Sequence, residues 1–289
     1  MEIFNSFMTW WRENHQKFEA VLFDVDGTLI SGTKPLPGNA EIIGWLREHN
    51  FPFFLLTNDG NHSPQQKCRR IQLGGIDISS DEIISSAHAL VEAAVEYNLV
   101  GKKVFVLGSL GKPCFGEAAG MKVVREIEAA DECAAIIVGE GQYDWHKYLN
   151  TAINMLIKNP SLPMIVPNPD SYWPNGEHGE IGVGAGGKTR FMTGLLDEMG
   201  IKVTPLYLGK PYKAIFHHTL EEMSRRFGLD ENPHPEKVIM LGDSLASDIR
   251  GANNCGMTSA LFLTGITNLE QAGKAEKEFK PDLVFHSLA

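Results

Sequence analysis

The chain of 289 residues carries 26 basic and 36 acidic side chains, a formal net charge of −10, with 43% apolar and 21% charged residues. That composition supports a folded core, in about two domains by length. It excludes wholesale disorder and a broad nucleic-acid surface, which needs clustered Lys and Arg to displace counterions from phosphates.

In chain order, the first element is read from Phe4, Phe7, Met8 and Trp11, whose helical spacing predicts a short amphipathic helix lying on the following domain. It lacks the basic face of a membrane-surface helix. Apolar runs of strand length then alternate with longer helical patterns: AVLF before Asp24, FFLL before Thr57, VFVL before Gly108, AIIV before Gly139, MIV before Pro167, LYL before Gly209, VIML before Gly242 and ALFL before Thr264. Continuous apolar strands interleaved with helices imply α/β architecture with parallel sheets covered on both faces. The stretch PNPDSYWPNGEHGEIGVGAGG is too rich in Pro, Gly and Asn to hold a regular element over most of its length. Phe216, Leu220, Met223 and Phe227 make one helical stripe, which Gly228 ends. The apolar runs fall far short of the ~18 residues a membrane-spanning helix requires. The N-terminus has neither the positive start nor the apolar stretch of a signal peptide. Cys68, Cys114, Cys133 and Cys255 form no C-x-x-C pair or metal finger, so reduced thiols in a cytoplasmic protein are expected.

The strongest local signal is FDVDGT at Phe23 to Thr28. An apolar strand delivers Asp24 and Asp26 at its C-terminal end, and Gly27 lets the backbone turn away. Residues two apart on an extended chain point the same way, so both carboxylates can face the crevice outside the strand tips where open α/β sheets bind ligands. Two carboxylates there call for a cation, and a hard divalent ion such as Mg²⁺ suits oxygen ligands and phosphate. Three further strands end in polar groups. LLTND brings Thr57 and Asn58, suited to phosphate oxygens; YLGKP brings Lys210, a compact charge for a phosphoryl group; VIMLGDSLASD brings Asp243, with Asp248 about one helical turn beyond.

In order and context, DVDGT, LLTN, GKP and GDSLASD resemble the four motifs of the haloacid dehalogenase superfamily, in its phosphatase branch. PLPGNAEIIGWLRE, AIIVGEGQYDW, NPDSYWP and SDIRGAN are similar to subfamily IIA, the group of NagD-like, pyridoxal-phosphate, phosphoglycolate and p-nitrophenyl phosphatases. The resemblance runs from about Phe18 to the C-terminus. It implies a doubly wound, Rossmann-like α/β core of residues 1–83 and 206–289, with an α/β C2-type cap of residues 84–205 inserted. It further implies Mg²⁺-dependent hydrolysis of a small phosphorylated metabolite. Asp24 would be the nucleophile that forms an aspartyl-phosphate, and Asp26 the general acid and base. Thr57, Asn58 and Lys210 would hold the phosphoryl group. The Asp24 carboxylate, the Asp26 carbonyl and Asp243 would ligate the metal, while Asp248 acts through water or by orienting Lys210. A homodimer through the cap is compatible with the resemblance, although no local stretch specifies an interface.

Two rival readings stand beside this one. GVGAGGKT at Gly182 to Thr189 fits the phosphate loop of P-loop nucleotide-binding proteins, but the polar NGEHGEI precedes it where that motif demands an apolar strand. Within the phosphatase reading, Lys188 and Arg190 stand at an exposed helix start or touch a substrate anion. The second rival is a non-catalytic binding protein that keeps the fold, against which the intact Asp24 and Asp26 argue. Another GKP, at Gly111 to Pro113, comes too early in the chain to replace Lys210. Tyr143, Trp145, Tyr172 and Trp173 are expected to pack in the cap core or reach a substrate from its loops.

Overall fold

A computed structural model describes residues 2–32, 34–174, 180–229 and 231–289. Residues 175–179, the NGEHG of the Pro- and Gly-rich stretch, lie outside the described residues. The chain divides into two compact units, one of Met1–Thr57, Pro64–Ile84 and Lys210–Ala289, the other of Asn58–Ser63 and Ser85–Gly209.

Among its described residues the first unit carries a seven-stranded sheet in the order Glu2–Ser6, Leu283–Ser287, Thr258–Phe262, Val238–Gly242, Ala20–Asp24, Phe53–Thr57, Ile83–Ser85. Every pairing from Glu2–Ser6 through Phe53–Thr57 is parallel. The central strands Val238–Gly242, Ala20–Asp24 and Phe53–Thr57 are apolar along almost their whole length because successive side chains feed opposite faces and both faces are covered, whereas the edge strand Glu2–Ser6 is largely exposed. Val21, Phe23, Leu55, Ile239 and Leu241 join the core under helices Phe7–Asn14, Asn39–Glu48 and Pro64–Leu73. Ala20, Leu22, Phe54, Leu56 and Met240 meet Ile215, Phe216, Leu220 and Met223 of helix Lys213–Phe227 on the other side. Gly228 closes that helix in the left-handed conformation, φ 63°.

The N-terminal expectation is corrected. The helix begins at Phe7, with Ser6 as its cap, its Oγ accepting from the Thr9 N–H at 3.2 Å, while Glu2–Ser6 is a strand. Phe4 is therefore not on the helix stripe. It stacks on Phe285 at 5.4 Å while its strand satisfies the edge of Leu283–Ser287, and these contacts override a helical spacing that isolated residues can show by chance.

The second unit has a five-stranded parallel sheet in the order Leu206–Tyr207, Met164–Val166, Ile136–Val138, Lys103–Leu107, Lys122–Val124 among its described residues. Helices Trp145–Lys158 and Ala185–Glu198 contribute Ala152, Leu156, Met192 and Leu196 to its core. The turn-rich stretch contains an antiparallel hairpin of Tyr172–Pro174 and Ile181–Val183. No described helix is long and apolar enough to cross a membrane, and all four cysteines are free thiols.

Candidate active site

In the large sheet, Ala20–Asp24 lies between Val238–Gly242, which comes late in the chain, and Phe53–Thr57, which follows it. This reversal of strand order is where a doubly wound sheet opens a crevice at its carboxyl edge. Asp24 is opposite Leu56, one residue before Thr57, and Phe23 is opposite Leu241, two residues before Asp243. The register therefore carries Asp24, Thr57 and Asp243 to the same edge. Asp248 arrives on a π-helical turn, Leu245–Ile249, whose cap Ser244 accepts from the Ser247 N–H through its side chain.

Lys210 joins these groups. Its Nζ donates to Asp24 Oδ1 at 2.5 Å and to the Leu56 carbonyl at 3.3 Å, and lies 2.7 Å from Asp248 Oδ1. Asp24, Asp243 and Asp248 each offer a carboxylate oxygen within 4.8 Å of the others. Backbone donors aim two of them: Ile266 N–H donates to Asp243 Oδ2 at 2.8 Å, and Ser244 N–H to Asp248 Oδ2 at 3.1 Å. Gly27, at φ +86°, is required twice over, since a Cβ there would stand 2.2 Å from Asp243 Oδ2.

Burial pushes the Asp24 carboxyl well above the usual carboxylate range, against the opposing pull of Lys210 and with the charges of Asp248 and Asp243 adding to the rise. Asp243 is pushed up to about 7, mainly by burial and then by Asp248. Burial works to lower Lys210, but Asp24 and Asp248 outweigh it and hold the ammonium above its ordinary range. The cluster is thus three carboxylates against the Lys210 ammonium, all with oxygen donors and two of them strained by desolvation. That donor set fits a hard divalent cation, which would allow all three to ionise together.

The other expected residues stand differently. Asp26 is outside the cluster and half-exposed, 3.4 Å from Arg70 Nη2, which also donates to the Gly32 carbonyl at 3.1 Å. Thr57 is buried and its Oγ1 accepts from Lys67 Nζ at 2.9 Å. Asn58 begins the second unit, where its side-chain amide donates to Asp170 Oδ1 at 3.1 Å. Sequence reasoning missed Lys67 and Arg70. Lys67 shares the buried stripe of helix Pro64–Leu73 with Cys68 and Ile71, but nothing in PQQKCRR sets it apart from the exposed charges around it.

The P-loop reading is overturned. Gly182 and Val183 belong to an antiparallel hairpin, and Gly184 caps the helix that starts at Ala185. The glycines serve close packing, since a Cβ on Gly186 would meet the Pro169 carbonyl at 1.9 Å. Lys188 is buried rather than exposed. Its Nζ donates to the Gly139 carbonyl at 3.4 Å, lies 3.9 Å from Glu140 Oε2, and sits 5.0 and 5.1 Å from the ring centres of Tyr143 and Trp145. Arg190 holds the chain at 169–171, donating to the Pro169 carbonyl at 3.0 Å and to Ser171 Oγ at 2.8 Å. Tyr172 and Trp173 are exposed on the hairpin.

Residues 21–122 match the family model described as haloacid dehalogenase-like hydrolase, and 207–289 match a second model of HAD-hydrolase-like proteins. The acid sugar phosphatase of Staphylococcus saprophyticus is 28% identical over 273 residues, 94% of this chain and 96% of that protein. A hypothetical protein of Pyrococcus horikoshii superposes with a TM-score of 0.79 at 31% identity, covering 93% of this chain and 96% of its own. The 4-nitrophenylphosphatase of Thermotoga maritima superposes with a TM-score of 0.77 at 27% identity, covering 94% and 95%.

Proposed function

We propose that this chain, which belongs to the haloacid dehalogenase-like hydrolases and is a phosphatase of their subfamily IIA, hydrolyses small phosphorylated metabolites through an aspartyl-phosphate formed on Asp24. The observation that carries this reading is the buried Lys210 bridging Asp24 at 2.5 Å and Asp248 at 2.7 Å at the switch point of the sheet. Donation from the ammonium orients the Asp24 carboxylate, which, once ionised beside a bound cation, would be competent to attack phosphorus. As the new O–P bond forms, the ester O–P bond breaks and its electron pair leaves on the alkoxide. Asp26, half-exposed and free of the carboxylate cluster, delivers the proton to that oxygen and then takes one from the water that cleaves the acyl-phosphate. Thr57, Asn58 and Lys210 supply donors to the phosphoryl oxygens, where negative charge develops in the transition state.

Asp24, the Asp26 carbonyl and Asp243 would hold Mg²⁺, with Asp248 behind them through water or through Lys210. When bound, the ion supplies positive charge to the phosphoryl oxygens and lets the acidic cluster ionise. Sugar phosphates are the first substrate class to examine, as the relative named acid sugar phosphatase aligns over 94% of this chain. We further assign the enzyme to the cytoplasm, in keeping with its four free thiols.

The test is a phosphate-release screen of the purified protein against sugar phosphates, other phosphorylated metabolites and p-nitrophenyl phosphate, in Mg²⁺ and in chelator. Release that depends on Mg²⁺ is expected. Equal rates in both conditions would remove the metal assignment, and no release from any ester would remove the substrate reading.

A further inference from the structure

Burying a lysine on the core-facing stripe of a helix is costly unless its ammonium has a specific task. Lys67 is such a residue. It is the fourth residue of helix Pro64–Leu73, only 5% exposed, and it shares the buried face with Cys68 and Ile71. Its Nζ donates to Thr57 Oγ1 at 2.9 Å. Beside it lies a cavity of ≈ 10 Å³ bordered by Asp26, Ile30 and Arg70, room for about one water.

The chemistry of that contact has a direction. An ammonium has only hydrogens to give, so the Thr57 oxygen accepts, and the hydrogen of its own hydroxyl must go elsewhere. A hydroxyl whose oxygen is drawn on by a cation becomes a stronger donor, because hydrogen bonds in series polarise one another. Thr57 stands one residue past the partner of Asp24 on the neighbouring strand, at the same carboxyl edge of the sheet.

We propose that Lys67 is a positioning residue that locks and polarises the Thr57 hydroxyl as a donor to the transferring phosphoryl group. The proposal rests on the reading of Thr57 as a phosphoryl ligand. Lys67 need not touch the substrate. It contributes by holding one rotamer of Thr57 and by placing a desolvated positive charge one hydroxyl away from the charge that develops on phosphoryl oxygen.

A double-mutant cycle on the full chain decides it, with Lys67→Met, Thr57→Val and the pair compared for kcat/KM on p-nitrophenyl phosphate and for inhibition by orthovanadate. Methionine fills the same space without the charge, so Lys67→Met is expected to keep or raise Tm while lowering kcat/KM about tenfold, the effect of one charge-assisted hydrogen bond. Vanadate inhibition should weaken in parallel. In the Thr57→Val background the same substitution should cost less than about threefold, because the group through which it acts is gone. Lys67→Arg, which keeps a donor, should recover part of the loss and provides the comparison should Thr57→Val fail to fold. An unchanged Lys67→Met, equal losses in both backgrounds, or an arginine variant no better than methionine overturns the proposal. If Thr57→Val folds and keeps full activity, the phosphoryl role of Thr57 falls, and this inference with it.

Discussion

Two lysines of this protein are buried to the same depth, each with 2% of its side chain exposed, yet their surroundings are opposite in balance. Lys210 in the first unit faces carboxylates at 2.5 and 2.7 Å with a third nearby, so negative charge is in excess and the ammonium is held above its ordinary range. Lys188 in the second unit has one carboxylate, Glu140, at 3.9 Å and two aromatic faces. There burial pulls the amine below its usual range, with Glu140 opposing. The Glu140 oxygen accepts from the Asn168 amide at 3.0 Å and the Ala185 N–H at 2.9 Å, so the pair ties a helix start to two loops. A balanced pair whose members are each hydrogen-bonded to the surrounding chain is the signature of structure. An acidic excess at strand ends is an arrangement that asks for a cation and an electrophile.

The largest effect is expected at Asp24, the proposed nucleophile. Asp24→Asn should lower phosphate release on the order of 10⁴-fold for every ester, measured at saturating Mg²⁺, because no neighbouring group can replace a covalent role. Lys210→Met should cost on the order of 10³-fold, measured as kcat/KM. Asp26→Asn sharpens the picture, since protonation matters in proportion to the leaving group: about 10²-fold or more lost on alkyl phosphates, and less on p-nitrophenyl phosphate in the first step. Asp243→Ala should raise the Mg²⁺ concentration for half-maximal activity about tenfold or more, read by metal titration.

The second unit should answer in stability instead. Lys188→Met should leave kcat/KM on p-nitrophenyl phosphate within about threefold, while urea unfolding shows a loss of about 2 kcal/mol from stranding Glu140. Adding Glu140→Gln should restore part of that loss. A large fall in kcat with unchanged stability would erase the distinction between the two lysines.

Much of this was legible in the amino-acid order. The eight apolar runs from AVLF to ALFL all carry strands, because a strand buried on both faces must be apolar throughout. The residues at their ends were visible because polar groups after such runs are conspicuous, and Asp24, Lys210, Asp243 and Asp248 are close together in space. What was not legible depended on partners remote in sequence. Glu2–Ser6 is a strand only because Leu283–Ser287 offers an edge. Lys188 looked like the start of an exposed helix because Glu140 and Tyr143 are far from it in the chain. Lys67 lies in PQQKCRR, where no pattern separates a buried lysine from the exposed charges around it.

In the proposed mechanism, phosphorus is transferred to Asp24. The direct measurement is rapid acid quench of the Asp26→Asn protein with p-nitrophenyl phosphate labelled in its phosphoryl group, followed by peptide mapping. The aryl leaving group needs little protonation, while loss of the base slows water attack, so the intermediate should accumulate. A hydroxylamine-labile phosphoryl label is expected on the peptide containing Asp24, absent when Asp24 is also replaced by Asn. Label on another residue, or a burst of nitrophenol with no protein-bound phosphoryl group, would contradict it.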